Sequence, residues 1–328
     1  MRPLAILGIL LALGCPGDGK STWQEAFDAS EVGWLLSVWG PSPENLYAVG
    51  GQKAPSRGVV WHRDADGWAP LDLGVEVPLL NWVFGFGPDD IFMVGDEGTI
   101  VHWDGGTFSR QTSPTEQTLW GVWGAAPDDV YAVGGDPFPG GTPVLLHFDG
   151  SAWSPVTLPA LSGANVFAFF KVWGTGPGDV WVVGQRGAVL HFDGSTWSEE
   201  LLETSEDLIS VWGTGPDRVA VVGGRGNGWL FTFDGSRWRS TQPSGLPGFN
   251  GVWMRDPDVV HVVGAEGQIA AFDFETHELL RDDYQDTRLD FHAIFGDGER
   301  LTTVGGNFNM PMGPYQGLAF ERRLLRGE

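Results

Sequence analysis

Apolar and aromatic residues along this chain come in short bursts separated by Gly, Pro, Asp and Ser. Val180-Trp181-Val182-Val183 is one such burst; it follows Gly178-Asp179 and stops at Gly184. Ala188-Val189-Leu190-His191-Phe192 is the next, and it stops at Asp193-Gly194. Bursts of this length, rich in β-branched and aromatic residues and bounded by turn formers, read as β-strands. Residues 169–173, 180–183, 188–192 and 196–199 are then four consecutive strands. Asp-Gly between the third and fourth signals a hairpin.

The same unit recurs along the chain. An aromatic-Gly step stands at Trp39-Gly40, Phe84-Gly85, Trp123-Gly124, Trp173-Gly174, Trp212-Gly213 and Phe295-Gly296, and at Trp253-Met254 with the Gly lost. A second glycine follows each at Gly50, Gly95, Gly134, Gly184, Gly223, Gly264 and Gly305; the offset is 10 in six copies and 9 in the last. A third landmark is an Asp four places before an aromatic: Asp64/Trp68, Asp104/Phe108, Asp149/Trp153, Asp193/Trp197 and Asp234/Trp238. Asp273/His277 keeps that spacing without the aromatic. Units of roughly 42 residues with four strands each have the size of propeller blades. Seven of them predict an all-β fold, a seven-bladed β-propeller of four-stranded antiparallel blades. A stacked β-solenoid is the alternative.

The unit Val-Trp-Gly-Thr-Gly-Pro, Asp-Val-Trp-Val-Val-Gly, Leu-His-Phe-Asp-Gly-Ser-Thr-Trp is similar to the repeats of secreted bacterial propeller lipoproteins. More loosely it resembles the Asp-box (BNR) propellers, a group that includes sialidases and photosystem assembly factors. The resemblance runs from about Trp34 to the C-terminus. It departs from the Asp-box in having four steps rather than five from Asp to Trp, with Gly directly after the Asp, so no sialidase activity carries over.

The first residues change the picture at one end. Arg2 precedes an apolar run over residues 4–14, the pattern of a secretory signal peptide. The run is too short for a permanent membrane span. Cys15, the only cysteine, directly follows Ala12-Leu13-Gly14 and resembles the lipidated Cys of a bacterial lipobox, although Leu is usual where Ala12 stands. The expected organisation is a signal peptide at 1–14, a lipidated N-terminus with a closing strand at 15–33, and the propeller at 34–328. Gly14 to Ser21 also spells G-x-x-x-x-G-K-S. A phosphate-binding loop needs a strand before it, a helix after it and a parallel sheet around it. All-β repeats supply none of these. Asp18-Gly19-Lys20-Ser21-Thr22-Trp23 instead looks like a copy of Asp-Gly-Ser-Thr-Trp with one residue inserted, and the last repeat lacks that element. Residues 21–27 are therefore expected to form the outer strand of the last blade and close the ring, removing exposed sheet edges.

Charge narrows the partners. Asp and Glu number 42 against 19 Lys and Arg, a net charge of −23. Nucleic acid is excluded as an electrostatic partner, and an anionic membrane surface with it. The membrane is expected only through the lipid. An unknown envelope or extracellular protein, or a glycan, remains. The chain is expected to be a monomer in the cell envelope, lipid-anchored or secreted.

A residue at the same slot of every blade serves the blade, and a working site should sit where the slots vary. By that rule Asp89-Asp90 and Asp128-Asp129 are turn formers. His62, His102, His147 and His191 share one slot on separate blades and serve packing or hydrogen bonding. Asp64-Ala65-Asp66-Gly67 lacks the later ligands of a calcium loop. No metal, cofactor or catalytic constellation is legible, and the four Tyr lie in no assembled motif. Connections on one face vary in length, with 51–58, 135–143 and 305–317 long, and insertions on one face mark a binding face. The most varied inner slot holds Leu36, Asn81, Trp120, Phe170, Ile209, Asn250 and His292. Asn81, Trp82, Trp120, Phe170, Asn250 and His292 are the candidate binding residues. The reading is a non-catalytic interaction scaffold; a carbohydrate-binding lectin or glycosidase-type propeller is the alternative.

Overall fold

The computed structural model describes residues 22–324 apart from 164, 309 and 311. The expected signal peptide over 1–14, the expected lipidation at Cys15 and the Gly14–Ser21 match lie outside the described residues. The described residues form seven four-stranded antiparallel sheets. The fourth blade runs Phe169–Gly176, Asp179–Gly184, Ala188–Phe192 and Trp197–Leu201, close to the four strands expected. Inner strands of neighbouring blades pack on one another around the axis, and the seventh meets the first.

The ring closes as expected. The seventh blade takes Asp290–Gly296, Arg300–Gly306 and Gly317–Arg323 from one end of the chain and the short strand Gln24–Glu25 from the other. Gln24 pairs with Glu321 and Glu25 with Phe320. Flanking aromatics extend the grip. Trp23 Nε1 donates to Asp283 Oδ2 at 3.1 Å, and Phe27 stacks on Trp61 of the first blade at 4.4 Å. Arg63 and Glu321 add a first-to-seventh blade ion pair at 3.0 Å.

Each repeated landmark has a packing cause. The inner-strand Trp of one blade lies on the inner-strand glycine of the next. A Cβ on Gly213 would sit 2.6 Å from the Trp173 ring, and one on Gly174 would sit 2.7 Å from the Trp123 ring. Where that glycine becomes Met254, the preceding Trp212 donates its Nε1 to Met254 O at 3.0 Å instead. The second glycine is fixed by a close backbone approach. A Cβ on Gly184 would lie 2.5 Å from Ala168 O, and its six counterparts would meet the equivalent carbonyls. The Asp of the third landmark closes the hairpin by accepting from backbone N–H groups two and three residues on. Asp193 Oδ1 accepts from Ser195 N and Thr196 N, both at 2.8 Å.

The shared histidine slot is a stitch inside each of the first four blades. His102, His147 and His191 donate Nε2–H to Asp90, Asp129 and Asp179 at 2.7 Å, and His62 donates to Asn45 at 2.8 Å. Each ring also packs on the aromatic of the second strand; His191 stacks on Trp181 at 3.9 Å. One carboxylate of each acidic pair thus does more than form a turn. One expected loop is corrected. Residues 51–58 are mostly strand, because Asn45–Lys53 and Ser56–Asp64 continue their pairing out to Lys53 and Ser56.

Candidate functional site

The varied inner slot coincides with a β-bulge in every blade. The pairing of first and second strands skips Leu36, Asn81, Trp120, Phe170, Ile209, Asn250 and His292 in turn. A bulge leaves its extra residue out of the ladder and re-aims its side chain. Here the seven extra residues form one layer at the end of the axis where the connections vary. Three of them, Asn81, Asn250 and His292, bond to the neighbouring blade rather than to their own, so their identity is not tied to the repeat within a blade.

Most of their polar atoms are already engaged. Asn81 Nδ2 donates to Leu119 O of the third blade at 3.0 Å, and Asn250 Nδ2 donates to Phe291 O of the seventh at 2.9 Å. His292 Nδ1 donates to Leu36 O of the first blade at 2.6 Å. Trp120 Nε1 donates to Gly135 O at 2.8 Å, and its ring meets Phe170 edge-on at 6.2 Å. The amides that sequence reasoning read as part of a sugar- or peptide-binding set are therefore stitches between inner strands, and the Trp120 indole is tied down within its own blade. Burial holds the His292 imidazole down to about 3, with Lys171 and Arg225 adding repulsion and the bond to Leu36 O opposing both. It is neutral at pH 7.

One position further along each inner strand, the layer holds Ser37, Trp82, Gly121, Lys171, Ser210, Gly251 and Ala293. Five are small. The two large ones meet: Lys171 Nζ lies 3.8 Å from the centre of the Trp82 ring and donates to Trp120 O at 3.0 Å. Lys171 is only 4 % exposed. Burial without a carboxylate pushes its amine down to about 7. Sequence reasoning found Trp82 and missed Lys171. The available signal was its place as the one charged residue in a layer of small ones. The pair blocks the axis; beyond it, against Trp39, Trp173, Trp212 and Phe295, about 20 Å³ remains, space for a water or so.

The loop-bearing face around this mouth is uneven. Phe138 on the 135–143 connection is 72 % exposed, and Met312 on the connection of the seventh blade is 84 % exposed. Between the first two blades, beside the closing segment, an open groove of about 1070 Å³ is lined by Asp28, Glu31, Asp72, Glu76 and Glu97 against Arg57, the single cation among its described lining residues. Among the described residues, no group of three or more His, Cys, Asp or Glu is placed to hold a metal ion.

No family model matches the chain. No curated protein matches it in sequence either. Solved structures do match in shape. "YCF48 bound to D1 peptide" superposes with a TM-score of 0.67 at 16 % identity, covering 94 % of this chain and 98 % of that one. The chain is similar in fold to YCF48. The protein from Cyanidioschyzon merolae superposes with a TM-score of 0.66 at 14 % identity, over 92 % of this chain and 98 % of YCF48. Identity this low carries the propeller architecture alone.

Proposed function

We propose that this chain is a non-catalytic protein-binding propeller whose working surface is the loop-bearing face. The carrying observation is that, among the described residues, the two most exposed large apolar side chains, Phe138 and Met312, both stand on long connections of that face. Exposed apolar groups rimmed by polar surface mark interaction sites. A propeller of the same shape is described as bound to a peptide, which supports a polypeptide ligand. The acidic groove and the net charge of −23 favour a partner with a basic surface, by charge complementarity. The glycan reading loses ground because the axial amide donors are engaged and Lys171 covers a face of Trp82.

The proposal includes the N-terminal organisation: a signal peptide over 1–14, lipidation at Cys15, and a closing segment before a propeller that starts near residue 34. The protein would sit in the cell envelope as a monomer, held to the membrane by lipid alone. Affinity capture from the native envelope tests the central claim. The wild type should bring down a partner that the double variant Phe138→Ser, Met312→Ser loses by at least tenfold. Unchanged capture by a folded double variant would remove the loop-bearing face from the reading. Loss of labelled palmitate incorporation in Cys15→Ser tests the anchor.

A further inference from the structure

Only three lysines occur in the 328 residues, Lys20, Lys53 and Lys171. Lys53 is half-exposed and paired with Asp96 at 2.6 Å. Lys171 is buried on the propeller axis, where a scaffold would be served as well by Met or Leu. Buried charges in proteins are ordinarily paired, since an isolated one carries a large desolvation penalty. Among the described residues no carboxylate lies within ion-pair distance of Lys171. Its amine has one carbonyl, Trp120 O, and the Trp82 face.

The groups around it leave this positive charge unanswered. Asp96 reaches the layer through Asn81 and Thr118, both at 3.4 Å, but it is engaged by Lys53. Arg225 lies over the Phe170 ring at 5.6 Å and is taken up by Asp207 at 3.0 Å. His292 is half-buried at the mouth, its Nδ1 spent on Leu36 O. Asn81 Nδ2 and Lys171 Nζ rest on the consecutive carbonyls of Leu119 and Trp120. Asn81 Oδ1, on a side chain only 1 % exposed, is buried without a hydrogen-bond partner. A buried acceptor left unpaired is costly and asks for a donor. The two adjacent layers therefore offer one cation and one orphan acceptor on neighbouring carbonyls of the third blade.

We propose that the axial mouth is a binding site for a monoanionic carboxylate with an adjacent N–H or O–H, the carboxylate facing Lys171 Nζ and the donor facing Asn81 Oδ1. A phosphate dianion is a poorer match, because one unpaired cation faces it and the acceptor of Asn81 repels its oxygens. The carboxylate belongs either to a free small acid or to the protein partner proposed above, and only the second source rests on that reading.

The test uses the full chain labelled with lysine ¹³Cε, which gives one signal per lysine. Lys171→Met assigns the signal, and Lys20→Arg and Lys53→Arg assign it by elimination if that variant does not fold. The pH titration is repeated with acetate, with N-acetylglycine and with chloride at one ionic strength. Expected is a saturable change at Lys171 alone, with its midpoint raised by about one pH unit by either carboxylate. N-acetylglycine should bind several-fold more tightly than acetate, and Asn81→Ala should erase that difference. Chloride should do nothing. A Lys171 signal indifferent to both carboxylates, or equally responsive to chloride, would overturn the site and leave Lys171 a plug. If N-acetylglycine also displaces captured protein, the partner supplies the carboxylate; if it binds without displacing anything, a free acid does. Failure of the protein-binding reading shows separately, as capture that ignores the loop variants while Lys171 still titrates with ligand.

Discussion

The two ends of the propeller axis are built on opposite principles. At one end a ring of Trp39, Phe84, Trp123, Trp173, Trp212, Trp253 and Phe295 repeats blade after blade, with Trp39, Trp123, Trp173 and Trp253 each lying on the glycine of the next blade. At the other end the bulged layer and its neighbour change residue type at nearly every blade. The difference lies in what each side chain answers to. A residue facing an identical neighbour is constrained to repeat. A residue facing an unpaired carbonyl or an axial gap is constrained only by that one opening, so the chain can place Asn, His, Lys or Trp there. Unusual chemistry gathers at the end where the repeat lapses.

The largest effect should come from breaking the repeated end. Trp173→Ala removes a buried indole that covers Gly213 and leaves a cavity against the next blade. The expected cost is about 3–5 kcal/mol in denaturant unfolding, at the level reported for buried Trp truncations. A loss under 1 kcal/mol would mean that the aromatic ring is not what joins neighbouring blades.

A second measurement sharpens the contrast through pH. The Lys171 amine, held near 7 by burial, has an ordinary value of 10.5. Between those values the unfolded chain binds more protons, so stability rises with pH. The slope approaches about 1.4 kcal/mol per pH unit and vanishes below 7, where both states are protonated. Wild type minus Lys171→Met, followed by chemical denaturation from pH 6 to 9.5, isolates that slope. Parallel curves for the two proteins would show that the lysine is solvated in the folded state. At the acid end the hairpin aspartates act in the other sense. Asp149 and Asp193 are held down to about 2, first by the Ser151 and Ser195 hydroxyls and then by backbone N–H groups. Their contribution is present above pH 4 and is lost as pH falls through about 2.

This contrast also sets what could be read from the sequence. Blade number, closing strand and histidine stitch were legible because each rests on a spacing that repeats, or on one missing copy of it. The face carrying 135–143 was legible from connection length. The bulges were not, because a skipped residue is a property of pairing between two strands and leaves no local mark. Nor was the engagement of Asn81 and Asn250, whose partners Leu119 and Phe291 lie about 40 residues away in another blade. Lys171 and Trp82 sit in different copies, and nothing in either copy announces the other. Residues 51–58 were misjudged since an extended hairpin and a long loop have the same length.

The smallest expected effect compares two members of the bulged slot that make the same bond. Asn81 and Asn250 each donate to the carbonyl after the neighbouring blade's entry, at 3.0 and 2.9 Å. Asn81 is fully buried and also contacts Asp96, whereas Asn250 is half-exposed. Removing the donor leaves Leu119 O dry in one case and open to water in the other. Asn81→Ala should cost about 2–3 kcal/mol and Asn250→Ala about 1 kcal/mol or less, since water replaces a lost partner wherever it can reach. Equal losses would mean that both carbonyls are hydrated, and that the mouth of the axis is wetter and wider than its packing implies.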